Sequence, residues 1–136
     1  MRDVTLHLTA IGTAAAVRFL IGALWYSPAL FVRPWMDCAG ITPAQARARM
    51  PKGIALDILA SVLMAFAMAF LVGYSGAQGV EGGLSIAFLA WLGLVAPAAW
   101  APIQYEGKPW SLWLLNTGCL LVSLLAMGAI LAAWPV

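Results

Sequence analysis

Polar positions are sparse in four long stretches of this chain and crowd between them. The stretches run over about residues 5 to 27, 54 to 74, 83 to 103 and 111 to 134. At 1.5 Å per residue each reaches across about 30 Å of hydrocarbon. They are too long and too uniformly apolar for the strands of a membrane barrel, and a lipid-facing backbone must close its own hydrogen bonds, so each is predicted as a helix. The first ends at Trp25, Tyr26 and Pro28, where an aromatic pair at headgroup depth and a helix-stopping proline mark an interface. The second reads IALDILASVLMAFAMAFLVGY, and Pro97 is predicted to kink the third. The expected architecture is all-α, a four-transmembrane-helix bundle forming one domain over residues 1–136.

Composition places this bundle in a bilayer. The chain is 64% hydrophobic and only 9% charged, with a mean hydropathy of +0.95, whereas a soluble domain carries about 25% charged residues to cover its surface. The net charge of +2 speaks to topology. Arg33, Arg47, Arg49 and Lys52 lie between the first two spans and Lys108 between the last two, against Arg2 at the amino terminus and only Glu81 in the middle loop. The basic side is expected to be cytoplasmic, with both termini outside, in a bacterial inner membrane. No basic face suited to nucleic acid emerges. A cleaved signal peptide is weighed and set aside, because Arg18 interrupts the apolar run and no small-x-small site follows.

The first loop carries its own helix signal. In TPAQARAR, Thr42 stands as N-cap, Pro43 at N1 and Gln45 at N3, a capping box opening a short basic amphipathic helix along the anionic leaflet; a solvated topological loop is the plainer reading. The chain also resembles itself at an offset of 75, with WYSPALFVRPW at 25–35 against WAPIQYEGKPW at 100–110. Trp25, Arg33, Pro34 and Trp35 then match Trp100, Lys108, Pro109 and Trp110. Together with Tyr26 and Pro28 these tryptophans form an interface signature. A tandem two-helix repeat would produce this match, as would two helix ends that independently collect interfacial residues.

Arg18 is the conspicuous residue of the first span. Its eight strong apolar residues favour insertion by about 2–5 kcal/mol and a central arginine opposes it by about 3 kcal/mol, so Arg18 is expected to face protein and find a partner. Ala14, Arg18 and Gly22 share one helical face, and Asp57, Ser61, Ala65, Ala69 and Gly73 form a similar row on the second span. Small neighbours allow helices to approach closely, so Arg18 is predicted to pair with Asp57, with Glu106 nearby. Such a pair is either an ion, proton or anion site or a device that fixes helix register. Asn116, in the fourth span, is read as interhelical hydrogen-bonding glue or part of a polar site.

Other chemistry is thin. His7 is the single histidine, Cys38 and Cys119 lack CxxC spacing, and Ser27 lacks a nucleophile-elbow context. No catalytic, cofactor-binding or metal residues are expected, and no enzymatic activity.

GALWYSPALFVRPWMDCAGIT, SVLMAFAMAF, YEGKPWSLWLLNTG and VSLLAMGAILAAW, together covering about residues 10 to 134, resemble the bacterial membrane family known as domain of unknown function 1761. Its specific marks are the Leu-Trp-Tyr-Ser-Pro run and the group Glu106, Lys108, Pro109 and Asn116 with Met127-Gly128; Val32 stands where members usually have glycine. The resemblance implies a small integral membrane protein of unassigned activity. Two roles are carried forward: a structural or accessory subunit in a membrane assembly, and a homo-oligomeric transporter or channel for small solutes or ions using Arg18 and Asp57. Partners are expected to be the lipid bilayer and either further copies or a larger membrane complex.

Overall fold

The fold is known from a computed structural model that describes residues 6–135. Arg2 and Thr5, the first residue of the expected first span, lie outside the described residues. The described chain is helical: α1 (Leu8–Trp25), α2 (Val32–Ala39), α3 (Pro43–Ser75), α4 (Gly79–Ala90), α5 (Ala101–Tyr105) and α6 (Trp110–Ala133). A π-helical turn, Trp91–Val95, and a 3₁₀ turn, Ala98–Trp100, join α4 to α5. Three helices, α1, α3 and α6, are long and apolar enough to cross a membrane. The segment from α4 to α5 makes a fourth if its two halves, bent by 42°, are counted as one span.

The boundaries follow from local chemistry. Gly40 and Gly76 end α2 and α3 at φ of 71°, a left-handed conformation that glycine alone adopts without steric cost. The Thr42 hydroxyl accepts from the Gln45 amide and the Gln45 side chain accepts from Thr42, which closes the capping box. The helix it opens is not a short interfacial one. It runs on without a break for 33 residues as the start of α3. Pro51 lies inside it and deprives the Arg47 carbonyl of a donor, but Arg47 through Lys52 are exposed, so water can satisfy that carbonyl. Sequence reading also missed α2. Val32, at the position where glycine was usual, begins α2 with no left-handed backbone, so nothing in this turn requires glycine.

The chain reverses at each turn, and neighbouring contacts fix the directions. Trp25 and Tyr26 at the end of α1 meet Leu115 and Asn116 near the start of α6, and Arg18 meets Asp57 and Ser61. Nearer the start of α1, Ile11 and Ala14 share the core with Leu124 and Met127 of α6 and with Ala65, Met68 and Val72 of α3. Helix α6 therefore runs antiparallel to α1, and so does α3. The core is built mainly of small residues and methionine: Ile11, Ala14 and Ala15 on α1, Ala65, Met68 and Val72 on α3, Ala87 on α4, and Leu124 and Met127 on α6. Small side chains let the axes approach, and methionine fills the irregular space that remains. The closest approach joins α4 and α6, where a Cβ on Gly83 would run into the Gly128 carbonyl and one on Gly128 into that of Gly83.

The third segment bends where Pro97 was expected to kink it, by 42°; just before Pro97, Ala96 N–H turns to the Trp91 carbonyl at 2.8 Å and widens the helix. The self-similarity at an offset of 75 does not extend to local structure. Trp25 ends α1 and Trp35 sits inside α2, whereas Trp100 lies in a 3₁₀ turn and Trp110 is the first residue of α6. The matched words end helices that continue differently, because α2 has no counterpart before α6.

Gly83→Ala or Gly128→Ala should each destabilise the purified protein by about 1–3 kcal/mol, since the new methyl meets backbone that cannot rotate away. Thermal melting in detergent checks this. Gly93→Ala, at a site with open space around it, should leave the melting temperature unchanged.

Candidate functional site

Arg18 is drawn into the bundle by its place on the α1 face that carries Ala14 and Ala15, and it is only 9% exposed. Its Nη1 donates to Asp57 Oδ1, to Ser61 Oγ at 3.0 Å and, weakly, to the Asp57 carbonyl at 3.4 Å. Ser61 in turn donates to the Asp57 carbonyl at 2.7 Å, one helical turn back. The hydroxyl therefore accepts from the guanidinium while its proton is held by backbone. The structure thus brings Arg18 and Asp57 together, and theirs is the one ion pair among the described residues. Asp57 sits at the edge of the contact with 37% of its side chain exposed. Ser61 belonged to the row of small residues in the sequence. Its spacing of four from Asp57 was the signal that it would share the arginine.

Glu106 does not join this pair. It caps the end of α5 in an exposed position, and no ion pair links it to Arg18. Lys108 acts locally as well, donating to the Ala39 carbonyl at 3.1 Å and so tying the loop before α6 to the end of α2. A cation there also complements the negative end of the α2 dipole. Beside it the Cys38 sulfur and the Ser111 hydroxyl lie 3.2 Å apart.

Asn116 meets α1 at its C-terminal end, where Tyr26 OH donates to Asn116 Oδ1 at 2.8 Å. Along α6, Asn116, Cys119 and Ser123 recur at spacings of three and four and face α1, where Tyr26, Gly22 and Arg18 recur at spacings of four. The antiparallel register that sets Tyr26 against Asn116 brings Ser123 level with Arg18. Two polar atoms in this seam are buried without a partner, Arg18 Nε and Ser123 Oγ. A cavity of about 150 Å³ lies between the bent segment and α6, lined by Ala98, Ala99, Pro102, Leu112, Trp113 and Asn116 among others. Of the predicted polar residues only Asn116 touches it. Among the described residues no group of three or more metal-ligating side chains converges.

The tryptophans divide into two kinds. Trp100 and Trp110 are exposed at helix ends and Pro28 is exposed in the turn after α1, as interfacial residues would be. Trp25, by contrast, donates its indole N–H to the Leu115 carbonyl at 3.0 Å, packs on Phe31 at 4.8 Å between ring centres, and leaves Tyr26 to meet Trp35 edge-on at 5.5 Å. Trp91 and Trp113 likewise donate to the carbonyls of Thr117 and Ala96, at 2.7 and 3.0 Å. These three indoles hydrogen-bond one helix to the next, a role that sequence reading did not assign to them. The Ala96 carbonyl is available because Trp100 N–H, its partner in a regular helix, turns to Pro97 instead at 3.2 Å. No sequence signal announces this, since it depends on how the bend meets α6.

The sequence profile of a family described as protein of unknown function (DUF1761) matches residues 9–132. Neither a curated protein nor a solved structure matches the chain.

Asp57→Leu should cost about 3–5 kcal/mol, because it leaves a buried guanidinium with only Ser61 and backbone to bond. Arg18→Leu should cost less, as the Asp57 carboxylate it frees is partly exposed. The double variant Arg18→Leu/Asp57→Leu should recover most of the loss, since no uncompensated charge remains. Melting in detergent or nanodiscs reads all three, and a double variant no better than Asp57→Leu would show that the two side chains are not coupled.

Proposed function

The chain belongs to the DUF1761 family of proteins of unknown function, and from that premise we propose that it is a four-span protein of the bacterial inner membrane serving as a structural or accessory subunit of a larger membrane assembly. One observation carries the reading. The polar side chains that a transport path would need close on one another or on backbone: Arg18 on Asp57 and Ser61, Asn116 on Tyr26, and three indoles on carbonyls of neighbouring helices. They serve as glue between helices, and they do not share the cavity beside Asn116. Such a chain offers surfaces rather than chemistry, so no reaction and no cofactor are assigned to it. Its contacts are the bilayer and the protein that covers its flank.

The orientation follows from the same architecture. Arg33, Arg47, Arg49, Lys52 and Lys108 all lie at the end of the bundle where α2 packs on the start of α6, and this end is assigned to the cytoplasm with both termini outside. A second reading, a homo-oligomeric transporter or channel for ions or small solutes, draws on Arg18 Nε and Ser123 Oγ. Both are buried without partners, as groups awaiting a bound acceptor would be.

Gentle extraction from the native membrane, with the mass of the complex measured and every chain identified, separates the two. The accessory reading expects stoichiometric recovery with a larger partner. Recovery as a pure homo-oligomer would favour transport, and liposome flux lost in Arg18→Leu would then establish it.

Cys38 provides the topology test. A membrane-impermeant maleimide should label it in inside-out vesicles and spare it in intact cells, while buried Cys119 stays unlabelled in both. Labelling of Cys38 in intact cells would reverse the orientation.

A further inference from the structure

Helix α3 is longer than a bilayer is thick. Its 33 residues reach about 50 Å, against about 30 Å of hydrocarbon. One face packs on the bundle, where Ser61, Ala65, Met68 and Val72 are buried and Asp57 meets Arg18. The opposite ridge is open. Arg49, Lys52, Leu56, Leu59 and Leu63 follow one another at steps of three and four, which sets them in one line, and all five are exposed, the leucines by 54%, 54% and 60%. The line turns from apolar to cationic between Leu56 and Lys52. Contacts across the bundle fix the depth of that change. A Cβ on Gly22 would lie 3.7 Å from Asp57 Oδ2, so α1 and α3 are level there. Tyr26, about 6 Å beyond Gly22 on the antiparallel α1, is then level with about Gly53. Tyr26 in turn meets Asn116, and exposed Trp110 lies about 9 Å further out on α6. Lys52 and Arg49 therefore fall in the belt bounded by Tyr26 and Trp110, the depth at which aromatic side chains meet headgroups. Asp57 is the one acidic residue of α3, and no carboxylate among the described residues pairs with Arg49 or Lys52.

We infer that this ridge binds an anionic phospholipid, with its phosphate on Arg49 and Lys52 and an acyl chain along Leu56, Leu59 and Leu63. The occupant is a lipid because the ridge presents cations and then leucines along one helix, in the order in which a phospholipid presents phosphate and chain. A soluble anion would use the cations alone and leave the leucines uncovered. A bilayer also supplies phosphate at this depth, so no protein carboxylate has to be brought there. The headgroup is anionic because two cations without a carboxylate to offset them favour net negative charge over a zwitterion, whose own ammonium they repel. Arg49 can take two phosphate oxygens through its planar fork, and Lys52 adds a compact charge from the next turn. The site requires only that α3 crosses the bilayer, so it does not depend on the accessory role.

The test uses the full-length protein with a photo-reactive side chain in place of Leu56, reconstituted into phosphatidylcholine vesicles that hold a minor share of phosphatidylglycerol. Cross-linked lipids are identified by mass spectrometry. The ratio of phosphatidylglycerol to phosphatidylcholine in the cross-links should exceed that of the bilayer by about tenfold, the order expected for two cations at the surface. Arg49→Gln/Lys52→Gln should return it to the bilayer ratio without lowering the melting temperature, since both side chains are exposed. The same probe in place of Leu94, on a bent segment that carries no lysine or arginine, should report the bilayer ratio throughout. A bilayer ratio at the Leu56 position, enrichment that survives the double change, or equal enrichment at the Leu94 position overturns the site. In native membranes, a cross-link from the Leu56 position to another protein chain overturns it as well, because protein would then cover the ridge.

Discussion

A guanidinium inside a bundle of apolar helices cannot be left to itself. The cost of an unpaired charge in such surroundings exceeds what any one contact of the apolar core returns, so the fold has to deliver a carboxylate to Arg18. It does so from α3, with Ser61 one turn beyond Asp57 taking a second hydrogen bond from the same nitrogen. Two bonds at different heights along α3 set the register of α1 against it. With α1 held in that register, its last turn presents Trp25 and Tyr26 to α6, where they bond Leu115 and Asn116. The pair thus acts beyond its own neighbourhood, because it determines which face of α1 is available to the helix that contacts every other long element.

The other half of the bundle is organised by absence of side chain. Gly83 and Gly128 bring α4 and α6 into backbone contact, and the wide turn at Trp91–Val95 and the bend beyond it follow close behind that crossing. Departures from a regular helix free carbonyls that lipid cannot satisfy. Here Trp113 takes up the Ala96 carbonyl while Trp91 reaches across to Thr117. The indoles therefore offset part of the cost of the bend and fasten it to α6 at the same time.

The candidate site was legible where it depends on charge and period, and hidden where it depends on which helices meet. Arg18 and Asp57 are the charges set most deeply in the apolar runs, and opposite charges in hydrocarbon have strong reason to meet; Ser61 follows from a spacing of four. Glu106 looked similar as a letter but ends a short helix in an exposed position, where its charge is solvated and needs no partner. Tyr26 and Asn116 were both noticed, one as an interfacial aromatic and the other as polar glue. Nothing in the sequence joined them, because their contact depends on the antiparallel register of α1 and α6.

By itself the sequence determined a helical membrane-type chain, the extent of its long apolar segments, the capping box at Thr42 and the need for Arg18 to be paired. Each of these follows from local composition, from a period of 3.6 residues or from the cost of a charge in hydrocarbon. Only the tertiary structure decided that the capped basic segment continues into α3, since helix continuity through Pro51 depends on the solvent around the Arg47 carbonyl. The same holds for α2 folding back on the start of α6, for three tryptophans bonding one helix to the next, and for one Asp57 oxygen remaining without a hydrogen bond among the described residues. These depend on which surfaces meet after the chain reverses, and neither the period nor the composition of a single segment encodes its neighbour.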